Sequence, residues 1–273
     1  MEGRTHLLLL FATLLVAGSF IVSGELAGTV HPFSLTLLRF AGASLVLLPI
    51  VLFKEKWRAQ ILGTLPRAMV ISLFYSGFFV ALFESLNTTT SLNTGALFTL
   101  VPFFTALLST VVFKESLSRR QVLAYLCGAA GSCWVVFGGN LDLLLSFALN
   151  RGDLIFLLGI VSMCFYSIAM KYLYQDDEMI VLVFCTLLGG SFWITLALIS
   201  IAQPLQWNLI QDDSVLQMLY LILCATLTTV YINQKATVIL GPGRAKAYIY
   251  LTPAFVALIS FLVYDVAIPP AIL

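Results

Sequence analysis

Apolar blocks close to the roughly 20 residues that an α-helix needs to cross a hydrocarbon core run through the whole chain, at 7–23, 33–53, 68–86, 92–113, 122–137, 154–172, 180–201, 216–232 and 245–264. They dictate membrane spans and not buried core helices, because 60% of the residues are hydrophobic and 10% charged. An ordinary globular domain has roughly a quarter of its residues charged, so this chain cannot cover itself with polar surface. The predicted fold class is an all-α membrane protein with nine complete transmembrane helices. The final IPPAIL, 268–273, begins like another span but is too short to cross, and reads as a truncated tenth helix.

Lys and Arg set the orientation, since basic residues are retained on the cytoplasmic side far more often than they are translocated. With the N-terminus inside, Arg4, Lys54, Lys56, Arg58, Arg67, Lys114, Arg119, Arg120, Lys171, Lys235, Arg244 and Lys246 all fall in inner segments. Of the 14 basic residues, the exceptions are Arg151, in an outer loop, and Arg39, inside the second span. Lys54, Lys56 and Arg58, in a solvated inner loop with Glu55, read as orientation signals. Basic residues spread over loops form no stripe for nucleic acid. The five cysteines, Cys127, Cys133, Cys164, Cys185 and Cys224, lie in apolar spans without metal-ligand spacing and read as small core residues. The first apolar run is too long for a cleavable signal peptide, and removing it would invert every later loop.

Internal symmetry sharpens the architecture. TLVPFFTALLS at 99–109 parallels YLTPAFVALIS at 250–260, with Pro102 over Pro253, Phe104 over Phe255, Ala106 over Ala257 and Ser109 over Ser260. The same register sets Glu84 over Lys235, and Gly189 and Ser191 of the seventh span match Gly42 and Ser44 of the second. The repeat unit is five spans, an odd number, so the second half enters the membrane from the opposite face. Two inverted halves, 1–139 and 151–273, are predicted, a plan that recurs in carriers whose binding site lies between the halves.

The run from Pro102 through VFKESLSRRQ at 112–121 to Gly128, and GPGRAKAYIYLTP at 241–253, resemble the fourth-to-fifth and ninth helices of the EamA branch of the drug/metabolite transporter superfamily. The resemblance covers essentially the whole chain. It implies a ten-helix, two-domain carrier of small metabolites, often an exporter of amino acids or related compounds, with no metal and no organic cofactor. The sequence departs from that pattern in its missing tenth helix and in Val266, where the family has an acid, with Asp265 one position early.

Candidate working residues come from groups that are costly in hydrocarbon. A helical proline leaves the carbonyl four residues earlier without its amide, so Pro102 and Pro253 free Phe98 and Ile249; the kinks either pack structurally or shape a solute cavity. Arg39 is either a functional charge or an internal clamp on helix-end carbonyls. Glu25, Glu84, Lys171 and Lys235 lie near span ends, where long side chains reach the interface; of these Glu84 is the one suited to proton coupling. Neutral recognition is assigned to Tyr75, Phe79, Phe98, Tyr166, Tyr231, Asn233, Tyr248 and Thr252, whose polar members need partners in hydrocarbon. Ala124, Gly128 and Ser132, at four-residue spacing, read as a packing stripe.

Other classes fit less well. An integral membrane enzyme would need a catalytic cluster, yet His6 and His31 lie outside the spans, the Asp176–Asp177 and Asp212–Asp213 pairs are loop features, and no nucleophile-elbow or phosphate-loop signature occurs. A non-transporting scaffold or receptor remains open. Within transport, no carboxylate lies deep in a span to suit an organic cation, and only Arg39, Lys235 and Lys246 could serve a phosphorylated solute. A neutral or zwitterionic solute, an amino acid or similar, is the expectation, with the cell membrane as the location.

Overall fold

In a computed structural model of the protein the described residues are 2–114, 117–136, 140, 142, 149–210 and 214–264, and all regular structure among them is helical. Helices α1 (Glu2–Leu26), α2 (Pro32–Phe53), α3 (Glu55–Ser85), α4 (Ser91–Phe98), α5 (Leu100–Phe113), α6 (Arg119–Val136), α7 (Arg151–Leu173) and α8 (Met179–Ser200) follow in order. After a 3-10 turn, Trp207–Leu209, α9 (Val215–Leu219) runs through a π-helical stretch, Tyr220–Thr228, into α10 (Thr229–Leu240). Helix α11 (Pro242–Lys246), a 3-10 stretch Ala247–Leu251 and α12 (Thr252–Tyr264) complete the described chain. Counted as continuous rods, eight of these are long and apolar enough to span a membrane. The chain is a multi-pass membrane protein. Helix α6, over the fifth apolar block, has 18 residues and opens with Arg119 and Arg120; it is not among the eight. The expected tenth helix, with Asp265 and Val266, lies outside the described residues.

Local chemistry explains where the rods begin and break. Helix α2 opens on Pro32, whose missing N–H costs nothing in a first turn, with the His31 side chain accepting from the Phe33 N–H. Helix α7 opens on a reciprocal box in which Asn150 and Asp153 each accept from the other's backbone N–H. Thr90 caps α4 through the Asn93 N–H. The fourth rod breaks at Thr99, three residues before Pro102, and the ninth tightens to a 3-10 turn over the five residues before Thr252 and Pro253.

Outward faces are apolar, with Leu45, Phe53, Leu62, Val111, Leu158, Ile199 and Leu262 exposed; a bilayer is the solvent that suits them. Inside, one core cluster joins α1, α2, α3, α4, α7 and α8 and includes Phe20, Phe40, Phe78, Phe98, Phe156 and Leu187. Helix α3 packs on α7 and α8, and α2 on α8; α1 packs on the π-helical stretch, α10 and α12. Helix α4 lies against α12 while α5 lies against α11, so the two broken rods cross in opposite directions.

Two local expectations are corrected. Lys56 and Arg58 belong to the first turns of α3, not to a loop: at 31 residues this helix is about 46 Å long at 1.5 Å per residue and its polar start projects past the hydrocarbon. The Asp176–Asp177 pair does lie in the loop after α7, where Asp177 takes both terminal guanidinium nitrogens of Arg67 at 2.8 Å and Glu178 takes Lys56 at 2.7 Å. In the small-residue stripe, Gly128 admits the Tyr250 ring, where a Cβ would collide, but Ala124 is exposed.

Candidate functional site: a central cavity between the broken rods

A narrow cavity of about 60 Å³ lies among α1, α3, α4, α7, α10, the π-helical stretch and the ninth rod, Pro242–Val263. Its wall is built on helix faces that the sequence spacing sets. Tyr75 and Phe79 are four residues apart on α3 and share a face, while Tyr248 and Thr252 reach the cavity from the 3-10 stretch Ala247–Leu251 and the start of α12. Tyr166 from α7 meets Tyr75 at 4.7 Å between ring centroids, and Tyr75 meets Phe79 edge-on at 4.9 Å. Phe98, the last residue of α4 before the break, packs on Phe20 at 5.3 Å and Phe78 at 5.4 Å. The result is a largely aromatic chamber.

Its polar groups are few. Asn233 donates to the Thr229 carbonyl at 2.8 Å, and the Tyr248 hydroxyl is 2.6 Å from His6 Nδ1, tying α1 to the ninth rod. Thr252 Oγ1 is fully buried with no hydrogen-bond partner. Lys246 also lines the chamber, at 4% exposure. The ninth apolar block starts at Ala245; the chain re-enters helix three residues earlier, at Pro242, straight after Gly241 at φ +84°, and carries Lys246 into the bundle. Gly95 stands at the corresponding place in the first half, so the internal repeat gave no hint of a charge there.

Of the eight residues assigned to neutral recognition, Tyr75, Phe79, Phe98, Tyr166, Asn233, Tyr248 and Thr252 line this chamber. Tyr231 does not. Two residues before Asn233 on one helix, it points about 200° away, and it borders a second groove with Trp57, Asp177, Glu178 and Lys235. Lys235 is exposed there, 5.6 Å from the Tyr231 ring. Glu84 is half-buried at the end of α3, receives Asn87 Nδ2 at 3.4 Å, and faces a shallow groove of Phe33, Ile155 and Trp193, away from the chamber. Sequence spacing missed the α1 contribution, Thr13, Val16, Ser19 and Phe20, and Met163 of α7.

Arg39 is fully buried behind the aromatic wall. It clamps no carbonyl. Its Nε donates to Thr226 Oγ1 in the π-helical stretch at 3.0 Å, and its guanidinium carbon sits 4.3 Å from the Phe79 ring centroid and 5.8 Å from that of Phe83. Both terminal nitrogens lack a hydrogen-bond partner. A hydroxyl in a locally widened helix and two ring faces thus take the place of the expected carbonyls. Among the described residues no group of three His, Cys, Asp or Glu side chains could hold a metal.

Membrane-spanning rods around a chamber framed by two interrupted helices define a class, the helical membrane transporters of small solutes. The chain belongs to the EamA-like transporter family, whose model matches residues 3–137 and again 150–271; that family is part of the drug/metabolite transporter superfamily. An uncharacterized transporter of Archaeoglobus fulgidus is 27% identical over 270 residues, 96% of this chain and 89% of that one. The uncharacterized transporter YyaM of Bacillus subtilis is 24% identical over 173 residues, 63% of this chain and 57% of that one. A crystal structure at 20% identity superposes with a TM-score of 0.71, covering 100% of this chain and 93% of the other, a likeness of fold.

Proposed function

We propose that this protein moves a small metabolite across the cell membrane by alternating access, as an exporter of amino acids or related neutral or zwitterionic compounds. The observation that carries the reading is the chamber itself, enclosed by helices from both parts of the chain and framed by the two proline-broken rods. The halves 1–139 and 151–273 act as inverted repeats rocking about it. Two separate family matches support that division, as does exchanged packing: α1 lies on the eighth and ninth rods, and α7 on the third and fourth. Finer contacts agree, since Gly42 of α2 receives Ile222 while Gly189 of α8 receives Ser72 and Met69 of α3. Ser44 and Ser191 each donate to the carbonyl four residues back. The aromatic wall and its hydroxyl and amide groups suit a small body with a polar end, and transport of this kind needs neither metal nor organic cofactor.

The test is flux. Purified protein in proteoliposomes should exchange labelled amino acids loaded on one side for unlabelled ones on the other, above empty liposomes. Flux equal to that of empty liposomes, with binding retained, would leave a receptor or scaffold as the better reading.

A further inference from the structure

Among the described residues no carboxylate pairs with the cationic head of Lys246. Its Nζ lies 4.0 Å from the Met163 thioether and 5.6 Å from the Tyr166 ring centroid, a weak acceptor and a ring face for a group with three donors. The carboxylates that the contacts locate are engaged elsewhere. Asp177 is on Arg67, Glu178 on Lys56, Asp153 on Thr89 and the Asn150 backbone, Glu84 beside Asn87, and Glu25 on Gln217. Arg39, across the Phe79 and Tyr75 rings from the chamber, adds charge of the same sign. A buried cation is ordinarily paired or hydrogen-bonded, so this chamber is short of one negative group. Thr252 Oγ1, buried and unpartnered in the same wall, is a further donor awaiting an acceptor.

We propose, resting on the transport reading, that the solute carries a carboxylate which docks on Lys246 with Thr252 as a second donor, while an apolar or aromatic body lies against Tyr75, Phe79, Phe98 and Tyr166. A phosphate is the poorer occupant. Its higher charge and three oxygens call for several converging basic donors, and Lys246 is the one basic side chain on the described wall. An organic cation is poorer still, since nothing negative faces it there and Lys246 and Arg39 repel it.

The experiment uses the full chain in detergent and matched probes: hydrocinnamate, its carboxamide hydrocinnamide, and phenylalanine, with binding read by thermal unfolding over a concentration series. The acid and the amino acid should bind at least about tenfold tighter than the amide, the size of effect expected from a charge-assisted contact out of bulk water. In Lys246→Gln that preference should shrink to within about twofold, and in Lys246→Arg it should persist, since the charge is kept. Should Lys246→Gln fail to elute as folded protein, Lys246→Met, which keeps the apolar stem, replaces it. Equal binding of acid and amide by the natural chain, undiminished acid preference without the lysine charge, or binding of none of the probes would each overturn the proposal. Counterflow of labelled hydrocinnamate separates the two readings: acid-selective binding with no flux sinks transport and leaves the carboxylate site, while flux without acid preference does the reverse.

Discussion

Among the described residues Arg67 and Asp177 form the best-defined charged contact. The pair is bidentate, Arg67 also reaches the Leu173 carbonyl at 3.1 Å, and Thr64 donates to Asp177 at 2.9 Å, with the Asp177 side chain 6% exposed. It fastens the start of α3 to the turn between α7 and α8. Removing one partner strands the other where water reaches it poorly, so Arg67→Ala or Asp177→Ala should cost about 3 kcal/mol, the low end for a broken buried pair, seen as a lower melting temperature in detergent. A double change to leucine should recover part of the loss, because the desolvation penalty disappears with the charges. Single variants as stable as the natural chain would mean that the pair is solvated and carries little. Lys56 with Glu178 offers the contrast: the lysine is 73% exposed, and such pairs contribute at most about 1 kcal/mol.

At the scale of the element, the interrupted rods matter most. Thr99 separates α4 from α5, and the 3-10 stretch Ala247–Leu251 separates α11 from α12, each just ahead of a proline. Phe98 borders the first break, Tyr248 lies within the second, and both line the chamber, so a change of kink moves the wall. Pro253→Ala restores an amide donor toward the Ile249 carbonyl and favours a straighter helix. Flux per folded molecule should therefore fall further than the yield of folded protein, and Pro102→Ala with Pro253→Ala should lower it again. Normal flux from the double variant would reduce both prolines to packing features. The π-helical stretch is a second interruption of a rod, and its Thr226 hydroxyl is what Arg39 reaches.

For the whole molecule the open quantity is direction in the membrane. The alternation of basic residues predicts an N-terminus in the cytoplasm and residues 140–152 outside. A single cysteine at Asn140, in a chain otherwise freed of cysteine, should react with an impermeant reagent applied to intact cells. Reaction only after the cytoplasmic side is opened would invert the topology and remove the inverted-repeat argument with it.

That this is a helical membrane protein was decided by composition and block length, which act on the chain residue by residue: apolar runs of span length have only lipid or core to enter, and 10% charge leaves no soluble surface. Part of the chamber was legible too, through the four-residue spacing of Tyr75 with Phe79 on α3. The same periodicity, applied to Tyr231 and Asn233, would have set them on opposite faces. The partner of Arg39 lay beyond any local pattern, being 187 residues away on a stretch whose π-helical winding no propensity announces. The depth of Lys246 was half legible: the ninth apolar block opens at Ala245, yet it is the packing of α5 and α7 on α11 that buries the side chain. Periodicity fixes the direction of a side chain about its own helix axis. What stands opposite it, and whether water can reach it, depends on helices packed from elsewhere in the chain.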